Sequence, residues 1–188
     1  MVGTWQRLTP AGAGSHILTT SGTTLDSGTI VAKDHLRVTI HTIATGGNIK
    51  ENITFNSDGG GNYSRKRNND GLNGDSNDSG QTQLEVYGDT AQDRDLFMNI
   101  KNTATKMKLV TADYIQNTAG KTNQPSRTEW VGKWSNQTNP ITKITVTCSG
   151  TGSYAAGSYI TVWGASGDVV TDEKTTLTNI PLNTRYEE

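Results

Sequence analysis

The chain has 188 residues, of which 31% are hydrophobic and 19% are charged, and its formal net charge is -1. A nearly neutral chain creates no long-range field that would attract a polyanion, so this composition argues against nucleic acid as a partner. We also expect no membrane association, because no window approaches the roughly 20 apolar residues that cross a bilayer and the N-terminus lacks a signal-peptide pattern.

Apolar side chains recur at every second residue, the spacing that places them on one face of a β-strand. In the first such segment, 35–44, Leu36, Val38 and Ile40 alternate with polar residues. Later segments of this kind lie near residues 53–55, 84–86, 96–100, 107–115, 128–134, 141–148 and 158–163. In segment 107–115 we assign the apolar face to Met107 and Leu109, with either Tyr114 or Ile115. About eight short strands predict an all-β fold, an antiparallel β-sandwich of jelly-roll-like form.

The sandwich is predicted to span residues 29–165, between an N-terminal arm at 1–28 and a C-terminal arm at 166–188. Both arms are rich in Thr, Gly and Ser and have few apolar anchors. Extended segments of this kind can add strands to neighbouring sheet edges. We expect the assembly contacts to come from the few larger side chains of the two arms, namely Trp5, Arg7, Leu8, Pro181, Leu182 and Tyr186.

Residues 56–80 interrupt the strand pattern with Asn, Asp, Gly and Ser around one basic aromatic cluster. They predict a long surface loop that contains a short strand. The cluster consists of Tyr63, Arg65, Lys66 and Arg67. It could recognise a host glycan or another receptor, and the alternative is an ordinary solvated hairpin.

No residue pattern indicates catalysis, a metal or a cofactor. His35 and His41 are six residues apart and would share one strand face, but no third ligand is assigned to them. The acidic segment 70–78 offers oxygen ligands for calcium without the EF-hand spacing, and solvated turns explain it as well. We therefore predict a non-enzymatic protein, with glycan degradation as a minor alternative.

Three tryptophans, Trp130, Trp134 and Trp163, are large relative to the remaining apolar residues. They could form a stacking platform for sugars, as aromatic rings do in many carbohydrate-binding sandwiches. Because few other large side chains are available to fill the sandwich, we predict that they belong to the core or to a subunit interface.

The segments 55–67, 125–134, 141–146 and 150–164 resemble, in that order, a β-sandwich domain that recurs in structural proteins of tailed bacteriophages. The most specific elements are Val-Gly-Lys-Trp at 131–134 and Ala-x-Gly-Ser-x-Ile-x-Val-x-Gly at 155–164. The resemblance covers about residues 50 to 165 and implies no catalytic residues.

This resemblance implies a protein of the virion surface. Because the domain would form nearly the whole chain, without a fibre shaft, we expect a capsid decoration or cement protein. It would be a homotrimer that binds the major capsid protein and stabilises the head. The alternative is a tail-fibre or collar subunit that acts as a receptor-binding module for a host-surface glycan.

Overall fold

The computed structural model describes residues 4–11, 14, 16–71, 74–86, 90–117 and 124–166. These residues form fourteen β-strands. The strands are β1 (Gln6–Arg7), β2 (Thr24–Asp26), β3 (His35–Thr42), β4 (Ala44–Thr45), β5 (Glu51–Phe55), β6 (Tyr63–Asn69), β7 (Ser76–Gln81), β8 (Leu84–Glu85), β9 (Arg94–Lys101), β10 (Lys108–Gln116), β11 (Ser126–Trp134), β12 (Ile144–Cys148), β13 (Ser153–Tyr154) and β14 (Tyr159–Ala165).

The strands form two main sheets in which all neighbours are antiparallel. The large sheet has eight strands in the order β1-β14-β3-β9-β10-β11-β6-β7, and the small sheet has four in the order β2-β12-β5-β8. A short third sheet pairs β13 with β4. The large sheet contains the longest strands, so it provides the broadest regular surface of the molecule.

The core lies between the large and small sheets. Phe55 of the small sheet lies 5.9 Å from the Trp134 ring and 6.0 Å from the Tyr63 ring, measured between centroids, and both partners belong to the large sheet. All three side chains are fully buried. The prediction of an all-β antiparallel sandwich is therefore confirmed, and the jelly-roll form within that class stays a prediction.

The segment predicted as an N-terminal arm contributes to both sheets. Strand β1 pairs with β14 at the edge of the large sheet, and β2 pairs with β12 in the small sheet. Leu25 of β2 is fully buried in the core. The described part of this segment thus lies on its own sandwich, whereas the predicted C-terminal arm falls almost entirely outside the described residues.

The segment predicted as a long loop, 56–80, contains two paired strands instead of one short one. Asn56 and Ser57 both have positive φ, at 52° and 58°, and the amide of Asp58 donates to the carbonyl of Phe55 at 2.9 Å. Two such residues bridged by that bond form a tight turn, which carries the chain from the small sheet to the large one. The chain then returns as β6, which pairs with both β11 and β7.

The assignment of Met107 and Leu109 to the buried face of segment 107–115 was wrong, and of the two alternatives Tyr114 and Ile115 it is Tyr114 that is buried. Strand β10 buries Lys108, Val110, Ala112 and Tyr114, so the opposite set faces solvent. Met107, Leu109 and Ile115 are 42%, 56% and 44% exposed. The larger aliphatic side chains suggested the other face, but pairing with β9 and β11 fixes which set points at the small sheet.

Gly132 is the inward position of β11 between two buried tryptophans. A Cβ there would lie 2.9 Å from Cζ3 of Trp130 and 3.1 Å from Cδ2 of Leu84. We expect Gly132→Ala to lower the free energy of unfolding by about 1–3 kcal/mol, because the buried Trp130 ring must move to admit the methyl group. Urea denaturation measures this loss.

Gly59→Ala is the matched control, because a Cβ at Gly59 meets nothing within 4 Å. We expect its denaturation midpoint to stay close to that of the unchanged protein. Equal midpoints for the two variants would contradict the close packing at Gly132.

Candidate interaction face on the large sheet

The side of the large sheet that points away from the small sheet, called here the outer face, is the candidate functional surface. Alternate side chains of β9, β10 and β11 point outward, and four of them are large and apolar. Phe97, Leu109, Ile115 and Val131 are each 43–56% exposed. The three strands are neighbours, and their register places these side chains as two diagonal pairs, Leu109 with Val131 and Phe97 with Ile115, on the same face. Clustered apolar side chains of this kind mark interaction sites more often than scattered ones do.

Two grooves cross the outer face on its β11 and β6 side. The more apolar groove has a volume of about 480 Å³, and Leu109, Val131 and Lys66 contribute to its lining. The other has about 330 Å³ and includes Asp113, Glu129 and Lys66. Both are open and shallow, so this side of the sheet suits contact with another large surface.

The basic cluster of β6 is largely neutralised by carboxylates of neighbouring strands. Arg65 is buried, and its Nε donates to Oδ2 of Asp78 at 2.8 Å, while Nη2 lies 3.4 Å from Oε1 of Glu85. Lys66 is exposed and pairs with Asp75 at 2.9 Å. Arg67 is half-buried on the inward side of the same strand. Of the three cations, Lys66 is the one that a partner in solution can reach most readily.

Tyr63 is a core residue, which corrects its placement on a surface loop. It is fully buried, its hydroxyl donates to the carbonyl of Asp58 at 3.1 Å, and it accepts from the amide of Phe55 at 2.9 Å. Burial raises the pKa of Tyr63 to about 12. Its ring therefore cannot stack on a receptor glycan, and it holds the β5–β6 turn against the core.

The three described residues that we expected to form assembly contacts lie on the sandwich itself, two of them beside β14 and Trp5 against Arg37 of β3. Arg7 pairs opposite Trp163, and the amide of Leu8 donates to the carbonyl of Val162 at 2.7 Å. Trp5 is half-buried, and the guanidinium of Arg37 lies 4.5 Å from its ring centroid. The other three predicted contacts, Pro181, Leu182 and Tyr186, fall outside the described residues.

The three tryptophans separate into two environments. Trp130 and Trp134 are buried in the core, and Trp163 is 42% exposed on the outer face. The Nε1 of Trp134 donates to Oδ2 of Asp58 at 2.6 Å. Partial burial opposes ionisation of Asp58, but the hydrogen bonds from Trp134, Gly60 and Asn62 outweigh it and lower the pKa of that carboxyl. Because two of the three tryptophans are buried and the third is exposed, the three indoles cannot form one stacking platform for sugars.

His41 and the acidic segment, two of the candidates for metal binding, already have partners, and His35 is exposed at the start of β3. His41 Nδ1 lies 2.9 Å from Oδ1 of Asp95. In the acidic segment, Asp70 accepts from the amide of Arg127 at 2.8 Å, while Asp75 and Asp78 pair with Lys66 and Arg65. In the part of the chain that the structure describes, no three His, Cys, Asp or Glu residues form a group that could hold a metal ion.

Sequence analysis missed a buried ion pair that joins the two sheets. Arg94 of β9 donates through Nη1 to Oε2 of Glu51 of β5, and both side chains are at least 97% buried. Thr42 Oγ1 donates to the other oxygen of Glu51 at 2.7 Å, and the Tyr114 ring centroid is 5.5 Å from the Arg94 guanidinium. The alternation of residues could have revealed this ion pair, because Arg94 and Glu51 lie an even number of positions from the inward apolar residues of their strands.

Comparisons with known proteins return nothing: no family model, curated protein or solved structure matches the chain. The described residues include no helix long and apolar enough to cross a membrane.

Proposed function

We propose that the chain is a virion structural protein of a tailed bacteriophage, a capsid decoration or cement protein that binds the outer capsid surface and stabilises the head. The observation that carries this proposal is the set of exposed apolar side chains on the outer face. Phe97, Leu109, Ile115 and Val131 project from three adjacent strands whose backbones are fixed by continuous pairing. Because these backbones are already ordered, docking would order only the side chains and not the chain that carries them, which favours binding.

The resemblance of segments 50–165 to phage structural domains supplies the proposed partner, the major capsid protein, and the proposed location, the virion surface. A homotrimer would present three outer faces at once. Each contact could then be weak, because later contacts of a trimer form at high effective concentration after the first.

The experiment is to mix the purified chain with expanded, undecorated heads of the phage that encodes it and to measure co-sedimentation. We expect the double variant Leu109→Ser, Val131→Ser to bind at least about tenfold more weakly, because both removed side chains line the apolar groove. Differential scanning calorimetry of the heads should show stabilisation by the unchanged protein and less by the variant.

Val31→Ser is the matched control, since Val31 is an apolar residue, 70% exposed, in the connection between β2 and β3. Its binding should equal that of the unchanged protein. Failure of the unchanged protein to bind heads would overturn the decoration function, whereas equal binding by the double variant would exclude the outer face as the docking surface.

A further inference from the structure

A third groove lies on the outer face across β3, β9 and β10, with Trp5 at its border, and it adjoins the apolar groove at Leu109 and Thr111. Its volume is about 360 Å³, within the range of small-molecule sites. Two rows of outward side chains cross it from strand to strand. One row is His35, Lys101 and Leu109, and the next is Arg37, Asn99 and Thr111. Members of a row on adjacent strands have Cβ atoms about 5 Å apart, so their polar ends can reach one ligand together.

The groove is electropositive although the chain as a whole is nearly neutral. Its lining includes Arg37, Lys101 and His35, and it includes no carboxylate. The outward carboxylates of β9 and β10, Asp95 and Asp113, stand one or two rows farther along the strands, and Asp95 already pairs with His41. A ligand with a negative charge would therefore find two cations here that form no ion pair with a described residue.

An aromatic ring forms part of the same lining. Trp5 borders the groove, and the guanidinium of Arg37 lies 4.5 Å from its ring centroid. This cation–π contact brings the indole and the guanidinium together at one side of the groove. Asn99 and Thr111 add an amide and a hydroxyl, which can donate to and accept from sugar hydroxyl groups.

We infer that this groove binds an acidic sugar of the uronic-acid type. The carboxylate would accept hydrogen bonds from Arg37 and Lys101, the apolar C–H face of the ring would contact Trp5, and the ring hydroxyls would bond to Asn99 and Thr111. The volume admits one or two sugar rings. The site is separate from Tyr63 and the β6 cations, and it does not depend on capsid binding.

The test compares methyl β-glucuronide with methyl β-glucoside, two ligands that differ by a carboxylate in place of a hydroxymethyl group. Binding is followed by NMR through the indole N–H resonance of Trp5, which Trp5→Phe identifies. We expect the glucuronide to bind about tenfold more tightly or better, because a hydrogen bond to a charged group is worth about one such factor. Added NaCl should weaken glucuronide binding more than glucoside binding.

The variants Arg37→Gln and Lys101→Gln should each reduce glucuronide affinity about tenfold and leave glucoside affinity nearly unchanged. Lys133→Gln is the matched control, because Lys133 is an exposed lysine of the outer face whose position lies in the lining of the apolar groove and not in this one. Its glucuronide affinity should equal that of the unchanged protein.

Three results would overturn the inference. The first is equal affinity for the two sugars, and the second is no saturable shift of the Trp5 resonance with either sugar at tens of millimolar. The third is displacement of the glucuronide by equimolar acetate or by triglutamate, which would identify a general anion site or a site for an acidic peptide. Loss of head binding, by contrast, would leave this inference intact, so the two proposals fail separately.

Discussion

Arg94→Met is expected to lower the free energy of unfolding by about 3–5 kcal/mol. The guanidinium of Arg94 is the cation that compensates Glu51, whose carboxylate is buried between the two sheets. Without it, the charge remains in a medium of low dielectric constant, and among the described residues Thr42 is the remaining side-chain donor to it. Equilibrium urea denaturation measures the loss, with the m-value as a check that unfolding stays cooperative.

Arg127→Met is the control for this prediction. Arg127 pairs with Glu129 at 2.9 Å, but the two side chains are 62% and 58% exposed, so water and salt screen the pair. We expect a change of about 1 kcal/mol or less. The double variant Glu51→Gln, Arg94→Met should be more stable than Arg94→Met alone, because it removes the uncompensated charge. A double variant at least as unstable as the single one would contradict this account.

Trp134→Ala should lower the free energy of unfolding by about 3–5 kcal/mol, the range for deleting a large buried aromatic side chain. The indole stacks on Tyr63 with centroids 6.4 Å apart and lies 5.9 Å from Phe55. Its loss would leave a cavity between the sheets and remove the hydrogen bond to Asp58. The midpoint of urea denaturation, followed by circular dichroism, reports the effect.

Trp163→Ala removes the same side chain from the outer face and provides the comparison. Trp163 is 42% exposed, so its truncation leaves no enclosed cavity, and we expect a change of about 0.5 kcal/mol or less. If the two variants lost similar stability, the division between a core tryptophan and a surface tryptophan would be wrong.

Parity along the strands explains both what sequence analysis predicted and what it missed. In β3, the inward residues Leu36, Val38 and Ile40 were identified because polar residues occupy every position between them. In β10, apolar residues occupy both parities, so the pattern did not specify a face, and the larger side chains suggested the wrong one. The exposed apolar surface of the outer face arises from that same ambiguity.

Charged residues at inward strand positions show a second limit of prediction from sequence. Arg94, Glu51 and Lys108 all follow the inward parity of their strands, yet a charge in a sequence ordinarily indicates the surface. Their burial depends on partners from distant segments. Lys108, for example, donates through Nζ to the carbonyls of Ala104, Lys106 and Asn136 at 2.9–3.0 Å, and burial lowers its pKa.

The sequence by itself determined that this protein is an antiparallel β-sandwich, because alternation of apolar and polar residues is a local property of each strand. Only the tertiary structure decided which face of β10 is covered, where Tyr63 lies, and which cations of the groove beside Trp5 form no ion pair with a described residue. The physical reason is that a strand has two equivalent faces until another sheet covers one of them. Residues far apart along the chain make that choice together.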